Sequence, residues 1–315
     1  MVYLLVVAAL AIIFYVFLIF PTQWLKVVRV KAPTGLGIKA VQLSDIHIEH
    51  LRIGASRFRK LIEREQPDYI LITGDFTQIE SKLPDVERFL QQVLVPGIPA
   101  YAVFGNHDYR LDSEGRKKMI ASIEGAGVKL LLNRSVKLDR FQLVGIDDFG
   151  TRHSDVQKAF REVDGSLPVV VITHDPNVID AIPHHYDYLM AGHFHGMQFY
   201  IPFLFRFIDK GPVAKRGIIQ GLHHENGRVL YISAGMGQTS PMRGCLSAAR
   251  LRYMSYNAIF TALEKEYDGY GSQKTPAAAA ASASASGTRQ TGDTQRFAKS
   301  RSDGQIKKTV RAAES

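Results

Sequence analysis

Short apolar runs alternate with amphipathic stretches through most of this chain. The runs are rich in Val, Ile and Tyr and end in polar loops that contain glycine, which is typical of buried strands. Six of them cover residues 38–43, 69–73, 100–104, 141–144, 168–173 and 188–191, and later runs cover 229–233 and 252–263. Residues 57–65, 85–95 and 114–125 have the spacing of helices. Strands that alternate with helices predict an α/β domain.

The amino terminus has a different pattern, because no charged residue precedes Lys26. Twenty apolar residues in a helix span about 30 Å, the hydrocarbon thickness of a bilayer. A secretory signal would need a basic start and a small-residue cleavage site, and neither is present. We predict a transmembrane anchor at 1–25 and a juxtamembrane connector at 26–37. Lys26, Arg29 and Lys31 follow the anchor, so the positive-inside tendency predicts a cell-membrane protein with a cytoplasmic catalytic domain.

Net charge and cysteine content narrow the choice of partners and ligands. The chain carries a net charge of +9, but eight Lys or Arg and only three Asp or Glu fall within 274–315. We predict a disordered basic tail at 271–315, since this Ala/Ser-rich, polar segment has little apolar surface to bury. The body at 38–270 is then close to neutral, so no nucleic-acid partner is expected. A single cysteine, Cys245, excludes an intrachain disulfide and leaves nitrogen and oxygen as metal ligands.

Five predicted strands are each followed directly by side chains that bind metal ions well. Ligands in α/β sheets usually lie beyond the carboxyl ends of the strands. A lone Asp or His in a loop is more often a cap or a solvated side chain, but five such strand ends predict one shared site. The side chains are Asp45, His47, Asp75, Asn106, His107, Asp108, His174, His193 and His195.

The spacing within these motifs suits a cluster of ions. Asp45 and His47 are two residues apart, as are His193 and His195, and alternate residues of an extended segment point the same way. Asp75 has two carboxylate oxygens and is able to bridge two cations. A mixed nitrogen and oxygen donor set suits manganese, iron or zinc.

This ordered series of Asp-X-His, Gly-Asp, Gly-Asn-His-Asp, a lone His and Gly-His-X-His resembles the calcineurin-like metallophosphoesterases over residues 38–263. Within that superfamily, the chain is similar to the bacterial membrane-associated branch of YkuE/YaeI-like phosphodiesterases. The resemblance implies a four-layer α-β-β-α sandwich, with two mixed sheets flanked by helices, and two divalent metal ions. It assigns Asp45, His47, Asp75 and His195 to one ion and Asp75, Asn106, His174 and His193 to the other. His107 matches the catalytic histidine, as an imidazolium, and Asp108 the carboxylate that orients it.

Two positions depart from the family pattern. Gln78 stands where the family often has the last acid of Gly-Asp-X-X-Asp, which puts the role of that acid in doubt. Phe194 and Met197 replace residues of the usual Gly-His-Thr-His-Gly-Gly motif, with Phe194 expected to point away from the ligands. The aromatic stretch at 199–207 is expected to be a core strand with a loop, or else an apolar lip beside the metals.

These observations favour a metal-dependent phosphoester hydrolase, a phosphodiesterase or pyrophosphatase, acting at the membrane. The expected partner is a phosphoester substrate, and a lipid-linked phosphate suits the membrane tether. A UDP-2,3-diacylglucosamine diphosphatase-type lipid enzyme is the alternative. A nuclease fits less well because the body is near neutral, and a non-catalytic scaffold fits less well because all the ligands are retained. The oligomeric state is not predicted.

Overall fold

The computed structural model describes residues 2–16, 25–197, 210–225, 227–237 and 256–264. Four predicted features lie wholly or partly outside these residues. They are the basic tail at 271–315, the aromatic stretch at 199–207, the second half of the anchor and the start of the strand predicted at 252–263.

The described residues form the predicted strands and helices in the predicted order, together with further short strands and helices that the apolar pattern does not predict. The helices are α1 (Val2–Phe14), α2 (Ala55–Glu65), α3 (Leu83–Val93), α4 (Ser113–Gly125), α5 (Val156–Ala159) and α6 (Pro212–Lys215). The strands are β1 (Leu25–Pro33), β2 (Ile38–Leu43), β3 (Tyr69–Thr73), β4 (Ala100–Val103), β5 (Val128–Leu130), β6 (Arg134–Lys137), β7 (Gln142–Gly145), β8 (Val169–Ile172), β9 (Tyr188–Ala191), β10 (Gly221–Glu225), β11 (Arg228–Ile232) and β12 (Tyr256–Glu264). Short 3₁₀ turns lie at Glu80–Lys82, Asp108–Arg110, Pro176–Ala181 and His195–Met197.

The strands form two mixed sheets of six strands each. The first sheet has the order β1-β12-β2-β3-β4-β5, in which only the β12–β2 pair is antiparallel. The second has the order β10-β11-β9-β8-β7-β6, in which the outermost pair at each edge is antiparallel and the inner pairs are parallel. The parallel inner strands of both sheets deliver their carboxyl ends to loops that carry the predicted site residues.

Successive residues of each central strand face different layers, because side chains alternate across a strand. In β2, Val41 packs towards α2 and α3, whereas Ala40 packs between the sheets. In β8, Val170 packs between the sheets and Val171 packs towards α5 and α6. The layers are therefore helix, sheet, sheet and helix, and the predicted α/β architecture of two mixed sheets with helices is confirmed.

The segment predicted as a connector contributes a strand to the first sheet. Strand β1 pairs in parallel with β12 over nine residues, from Leu25 opposite Tyr256 to Pro33 opposite Glu264. Strand β12 in turn pairs with β2, so it lies between two strands that follow each other in the sequence. The sequence of β1 does not predict a strand, because Lys26, Arg29 and Lys31 interrupt its apolar residues.

Helix α1 lies within the predicted anchor at 1–25, of which residues 17–24 lie outside the described residues. It has 13 residues, which correspond to about 20 Å of helix, and all of them are exposed. In the part of the chain that the structure describes, no helix is both long enough and apolar enough to cross a membrane.

Candidate metal centre

The predicted ligands meet at the carboxyl ends of β2, β3 and β4 in the first sheet and of β8 and β9 in the second. Four of them, Asp45, His47, Asp75 and His195, offer ligand atoms that all lie within 4.8 Å of one another. We call these four residues the Asp45 set. His47 Nε2 is 3.3 Å from both His195 Nε2 and Asp75 Oδ2, and His195 Nε2 is 3.1 Å from Asp45 Oδ1.

The other predicted ligands form a second group, the Asn106 set, which consists of Asp75, Asn106, His174 and His193. Asn106 Oδ1 is 3.1 Å from His174 Nε2 and 3.0 Å from His193 Nδ1. The two imidazole nitrogens are 3.3 Å apart, and His174 Nε2 is also 3.3 Å from Asp75 Oδ2. The same oxygen of Asp75 therefore belongs to both groups.

These distances fit two divalent metal ions. Ligand atoms about 2.1 Å from a common ion lie about 3.0–3.4 Å from one another, which is the spacing of the neighbouring pairs given above. Each set also brings two imidazole nitrogens to 3.3 Å, where at most one proton fits between them. His174 Nδ1 lies 2.8 Å from the Thr73 carbonyl, to which it donates, so in the neutral ring Nε2 carries the lone pair and is available as a ligand.

The backbone of the site is unusual, because five candidate ligands have positive φ angles. These are Asp45 (53°), His47 (41°), Asp75 (59°), His193 (74°) and His195 (50°). Only three other non-glycine residues among those described share this left-handed conformation, which costs free energy and is concentrated at functional sites. The prediction that the two motifs are extended is wrong, and tight turns bring their side chains to the centre.

Two of the glycines predicted at strand ends allow the loops to approach each other. A Cβ atom on Gly192 would lie 2.1 Å from Ser44 Oγ and 2.5 Å from Asp45 Oδ2. A Cβ atom on Gly105 would lie 2.3 Å from Asp75 Oδ1. No side chain fits at either position unless these neighbours move, which at Gly105 include the Asp75 backbone nitrogen at 2.7 Å and His174 Cγ at 2.8 Å.

The ligands shift one another's pKa values. Burial opposes ionisation of Asp75, but His174 and His47 beside it hold the pKa of its carboxyl well below the ordinary value. Burial likewise works against a charged His174, yet its carboxylate neighbours raise its pKa well above the usual value. Burial, with His174 beside it, lowers the pKa of His193 to about 3. The site thus concentrates negative charge on two carboxylates that face four imidazoles.

His107 lies beside the Asp45 set. Its backbone N–H donates to Asp75 Oδ1 at 2.8 Å, and its ring stands at 82° to the His47 ring with centroids 4.7 Å apart. Burial is the main cause that lowers the pKa of His107 to about 3. A lowered pKa favours the neutral imidazole over the predicted imidazolium.

Asp108 does not have the predicted role of orienting the His107 ring. It is fully buried, and its carboxylate accepts from the backbone N–H groups of Asp75, Phe76, Thr77 and Gly105 at 2.7–3.2 Å. Asp108 thus ties the loop after β3 to the loop after β4. The ring partner of His107 is Gln78, whose Oε1 lies 3.0 Å from His107 Nδ1.

The loop after β11 is hydrogen-bonded to the loop that carries Asp45. The backbone N–H groups of Met236 and Gly237 donate to the carbonyls of Ser44 and Asp45, at 2.8 and 2.6 Å. Phe194, which is predicted to point away from the ligands, is buried in the outer core of the second sheet, and its ring centroid lies 5.5 Å from that of His193. The side chain of Met197 lies outside the described residues.

Comparison with known proteins assigns the family. A model of the calcineurin-like phosphoesterases matches residues 38–197, about half of the chain. An uncharacterized metallophosphoesterase of Bacillus subtilis (strain 168), YkoQ, is 34% identical over 214 residues, which are 66% of this chain and 79% of that protein. The UDP-2,3-diacylglucosamine pyrophosphatase LpxG of Chlamydia trachomatis is 27% identical over 66% of this chain and 80% of its own. Phosphodiesterase YaeI of Escherichia coli (strain K12) is 27% identical over 57% of this chain and 67% of its own.

The matched segment contains both ligand sets, and the relatives confirm the resemblance that the motifs predict. The chain belongs to the calcineurin-like phosphoesterase family and is a metal-dependent phosphoester hydrolase.

Proposed function

We propose that this protein is a membrane-associated phosphodiesterase or pyrophosphatase that uses two divalent ions, one in the Asp45 set and one in the Asn106 set. The observation that carries the proposal is the position of Asp75 Oδ2, which lies 3.3 Å from a ligand nitrogen of each set. Asp75 would then be a ligand of both ions, which together would supply the charge neutralisation that two-metal phosphoester hydrolases use.

The residues around the two sets prepare the site for an in-line displacement at phosphorus. When bound, a pair of divalent ions lowers the pKa of water and neutralises charge on the non-bridging phosphate oxygens. The N–H group of His107 holds Asp75 Oδ1, which leaves Oδ2 directed at both sets. His107 exchanges protons with the reacting oxygen atoms, and because its imidazole is neutral at rest, it accepts a proton before it passes one to the leaving oxygen.

The names of two relatives indicate a substrate class for this protein. YaeI is named a phosphodiesterase, and LpxG is named for a pyrophosphatase reaction on a lipid-linked nucleotide. Both names describe phosphate groups with two substituents, and we extend that substrate class to this chain. A UDP-diacylglucosamine-type lipid is the second candidate, which the similarity to LpxG favours. A nuclease remains the weakest candidate, since the excess of positive charge lies at the ends of the chain.

Membrane association is supported by the amino terminus. Helix α1 exposes apolar side chains on every side, and an all-round apolar surface is typical of a helix in a membrane or a protein core. We propose that 1–25 anchors the protein and that Lys26, Arg29 and Lys31 place the catalytic domain on the cytoplasmic side.

The central experiment measures metal content and turnover on the same samples. Full-length protein in detergent is stripped with EDTA and reloaded with Mn²⁺, and the bound metal is counted by mass spectrometry. The substrates are bis-p-nitrophenyl phosphate, p-nitrophenyl phosphate, a UDP-linked diacyl lipid and DNA. We expect two ions per chain, turnover that requires metal, and faster cleavage of diesters or the anhydride than of the monoester. Turnover that survives complete metal removal would contradict the proposal.

A flotation experiment tests the anchor separately. The full-length protein is expected to float with phosphatidylglycerol-containing vesicles, whereas a protein that lacks residues 2–24 is expected to stay in the dense fraction. Equal flotation of the two proteins would contradict the proposed anchor without affecting the catalytic proposal. Protection of the catalytic domain from protease added to intact cells supports the cytoplasmic orientation.

A further inference from the structure

The side chain of Gln78 contacts both His107 and Arg110, and the proposed reaction gives no reason for this arrangement. Its Oε1 lies 3.0 Å from His107 Nδ1 and also accepts a hydrogen bond from the Arg110 guanidinium. Gln78 follows Asp75 by three residues, and Arg110 follows His107 by three. The loops after β3 and β4 therefore meet at one amide oxygen.

Arg110 determines which way the amide of Gln78 faces. A guanidinium has only N–H donors, so the amide atom next to it must be the oxygen, because the NH₂ group would face it with two further donors. The same oxygen faces His107 Nδ1, and an oxygen without hydrogen only accepts. His107 Nδ1 must then carry a proton, and in the neutral ring Nε2 carries none.

The orientation of the ring is fixed as well as its tautomer. The His107 backbone is held by Asp75, the ring edge meets His47, and Nδ1 is held by Gln78. A ring that flipped about its Cβ–Cγ bond would lose the bond to Gln78. Nε2 is therefore presented as a proton acceptor in one direction.

We propose that Gln78, held by Arg110, is a positioning residue that keeps His107 in the Nδ1–H tautomer with Nε2 free to accept a proton from the reacting oxygen atoms. This inference rests on the proposed phosphoester hydrolysis for its purpose, whereas the tautomer itself is independent of it. Gln78, which stands where the family often has an acid, thus accepts a hydrogen bond from His107 through a neutral amide. Gln78 and Arg110 do not themselves bind the ions.

The test combines a spectroscopic and a kinetic measurement on the full-length protein. Gln78→Met keeps the length of the side chain and removes the acceptor, and Gln91→Met on α3 is the matched control far from the site. Nitrogen-15 NMR of labelled histidines, with the His107 signals identified by their loss in His107→Gln, reports the tautomer in the metal-free protein. We expect Nδ1–H in the unchanged protein and in Gln91→Met, and a mixture of tautomers in Gln78→Met.

The kinetic arm uses Mn²⁺-loaded protein and bis-p-nitrophenyl phosphate. We expect Gln78→Met to lower kcat by about 10- to 100-fold with KM and metal content nearly unchanged, as is usual when a supporting hydrogen bond is lost. Arg110→Ala is expected to give a smaller loss and Arg110→Lys to restore part of it. In a His107→Ala background, Gln78→Met is expected to have no further effect.

Each alternative result has a distinct meaning. An Nε2–H tautomer in the unchanged protein, or an unchanged tautomer in Gln78→Met, overturns the proposal. A loss of the same size in the His107→Ala background also overturns it, since Gln78 would then act on the substrate directly. If the protein cleaves no phosphoester at all, the proposed function fails, and the NMR result still decides whether Gln78 sets the tautomer.

Discussion

The two ligand sets share Asp75 and are built from similar residues, yet they differ in charge and burial. The Asp45 set has two carboxylates, and all four of its members are buried. The Asn106 set has only the shared carboxylate, a neutral amide in place of the other one, and two members, Asn106 and His193, that are partly exposed. Because affinity for divalent ions rises with the number of charged ligands, the Asp45 set is expected to hold its ion more tightly. We therefore expect the Asp45 set to retain its ion and the Asn106 set to exchange its ion more readily.

The largest expected effect comes from removing the residue that the two sets share. Asp75→Ala is expected to lose both ions and to lower turnover by more than about 10,000-fold, because each ion contributes several kcal/mol of charge stabilisation. His107→Ala, in contrast, is expected to keep both ions while losing turnover. Metal counting and initial rates on the same preparations test this.

Asp147→Asn is the matched control, since Asp147 is a buried carboxylate near the site that belongs to neither set and accepts from Tyr109. It is expected to bind two ions. Full activity and full metal content in Asp75→Ala would show that Asp75 is not a ligand shared by the two sets, and the comparison between the sets would then have no basis.

A smaller effect is expected from substituting Gly192 or Gly105, and the two substitutions are expected to affect the two ligand sets differently. Gly192→Ala places a methyl group against Asp45, whereas Gly105→Ala places one against Asp75 and His174. Gly192→Ala is therefore expected to weaken mainly the tight ion, and Gly105→Ala to weaken both, each by about 10- to 100-fold in Kd. Calorimetric titration with Mn²⁺ measures the two steps.

Gly54→Ala is the control for these substitutions, because Gly54 has an ordinary φ of −66° and its nearest neighbour would be 4.0 Å from the new methyl group. Its binding isotherm is expected to match that of the unchanged protein. Identical isotherms for the Gly105 and Gly192 variants would show that the loops yield freely and that the close approach has no role.

A charge substitution narrows the difference between the sets. Asn106→Asp gives the Asn106 set a carboxylate of its own and is expected to tighten the weaker ion by about tenfold, since added ligand charge raises affinity. Asp45→Asn is the opposite change and is expected to weaken the tighter ion. If Asn106→Asp leaves the second dissociation constant unchanged, charge count does not explain the difference between the sets.

The smallest effect concerns a charge cluster outside both sets. Hydrogen bonding from Arg29, together with Lys39 and Arg64, lowers the pKa of Glu65 to about 2 from an ordinary value near 4.5. This stabilisation is fully present above about pH 4.5 and is lost as the pH falls towards 2. Glu65→Gln is expected to lower the melting temperature by about 2 °C or less at neutral pH and by less at pH 3.

Metal binding by both sets is expected to be unchanged in Glu65→Gln. Glu63→Gln, which removes a pair with Arg59 within the same helix, is the control. A change in ion affinity caused by Glu65→Gln would mean that the edge of the first sheet is coupled to the metal centre.

The α/β class and the candidate ligands could be predicted from the sequence because their signals are local, whereas the four-layer arrangement is implied by the family resemblance. Each central strand is a run of apolar residues, as at Tyr69–Thr73, and each candidate ligand directly follows such a run. The helices α2, α3 and α4 begin and end within two residues of the predicted bounds, since their apolar spacing is regular.

Features that depend on distant partners could not be predicted in this way. Strand β1 is recognisable only through β12, which lies more than 200 residues later in the sequence. The roles of Gln78 and Asp108 depend on where the loop after β3 meets the loop after β4, and the sequence places Asp108 next to His107 without showing that its carboxylate points elsewhere. The left-handed turns at the ligands also escape prediction, because Asp and His adopt this conformation only when the surrounding structure enforces it.

The position of β12 has a consequence for how the chain is made. While the ribosome is still adding residues before Tyr256, β1 has no neighbour in the first sheet and β2 has one open edge. The segment next to the apolar helix α1 therefore joins the folded body only after almost the whole domain has been synthesised. A nascent chain therefore holds β1 as an unpaired strand until β12 has been synthesised, so the first sheet is completed late.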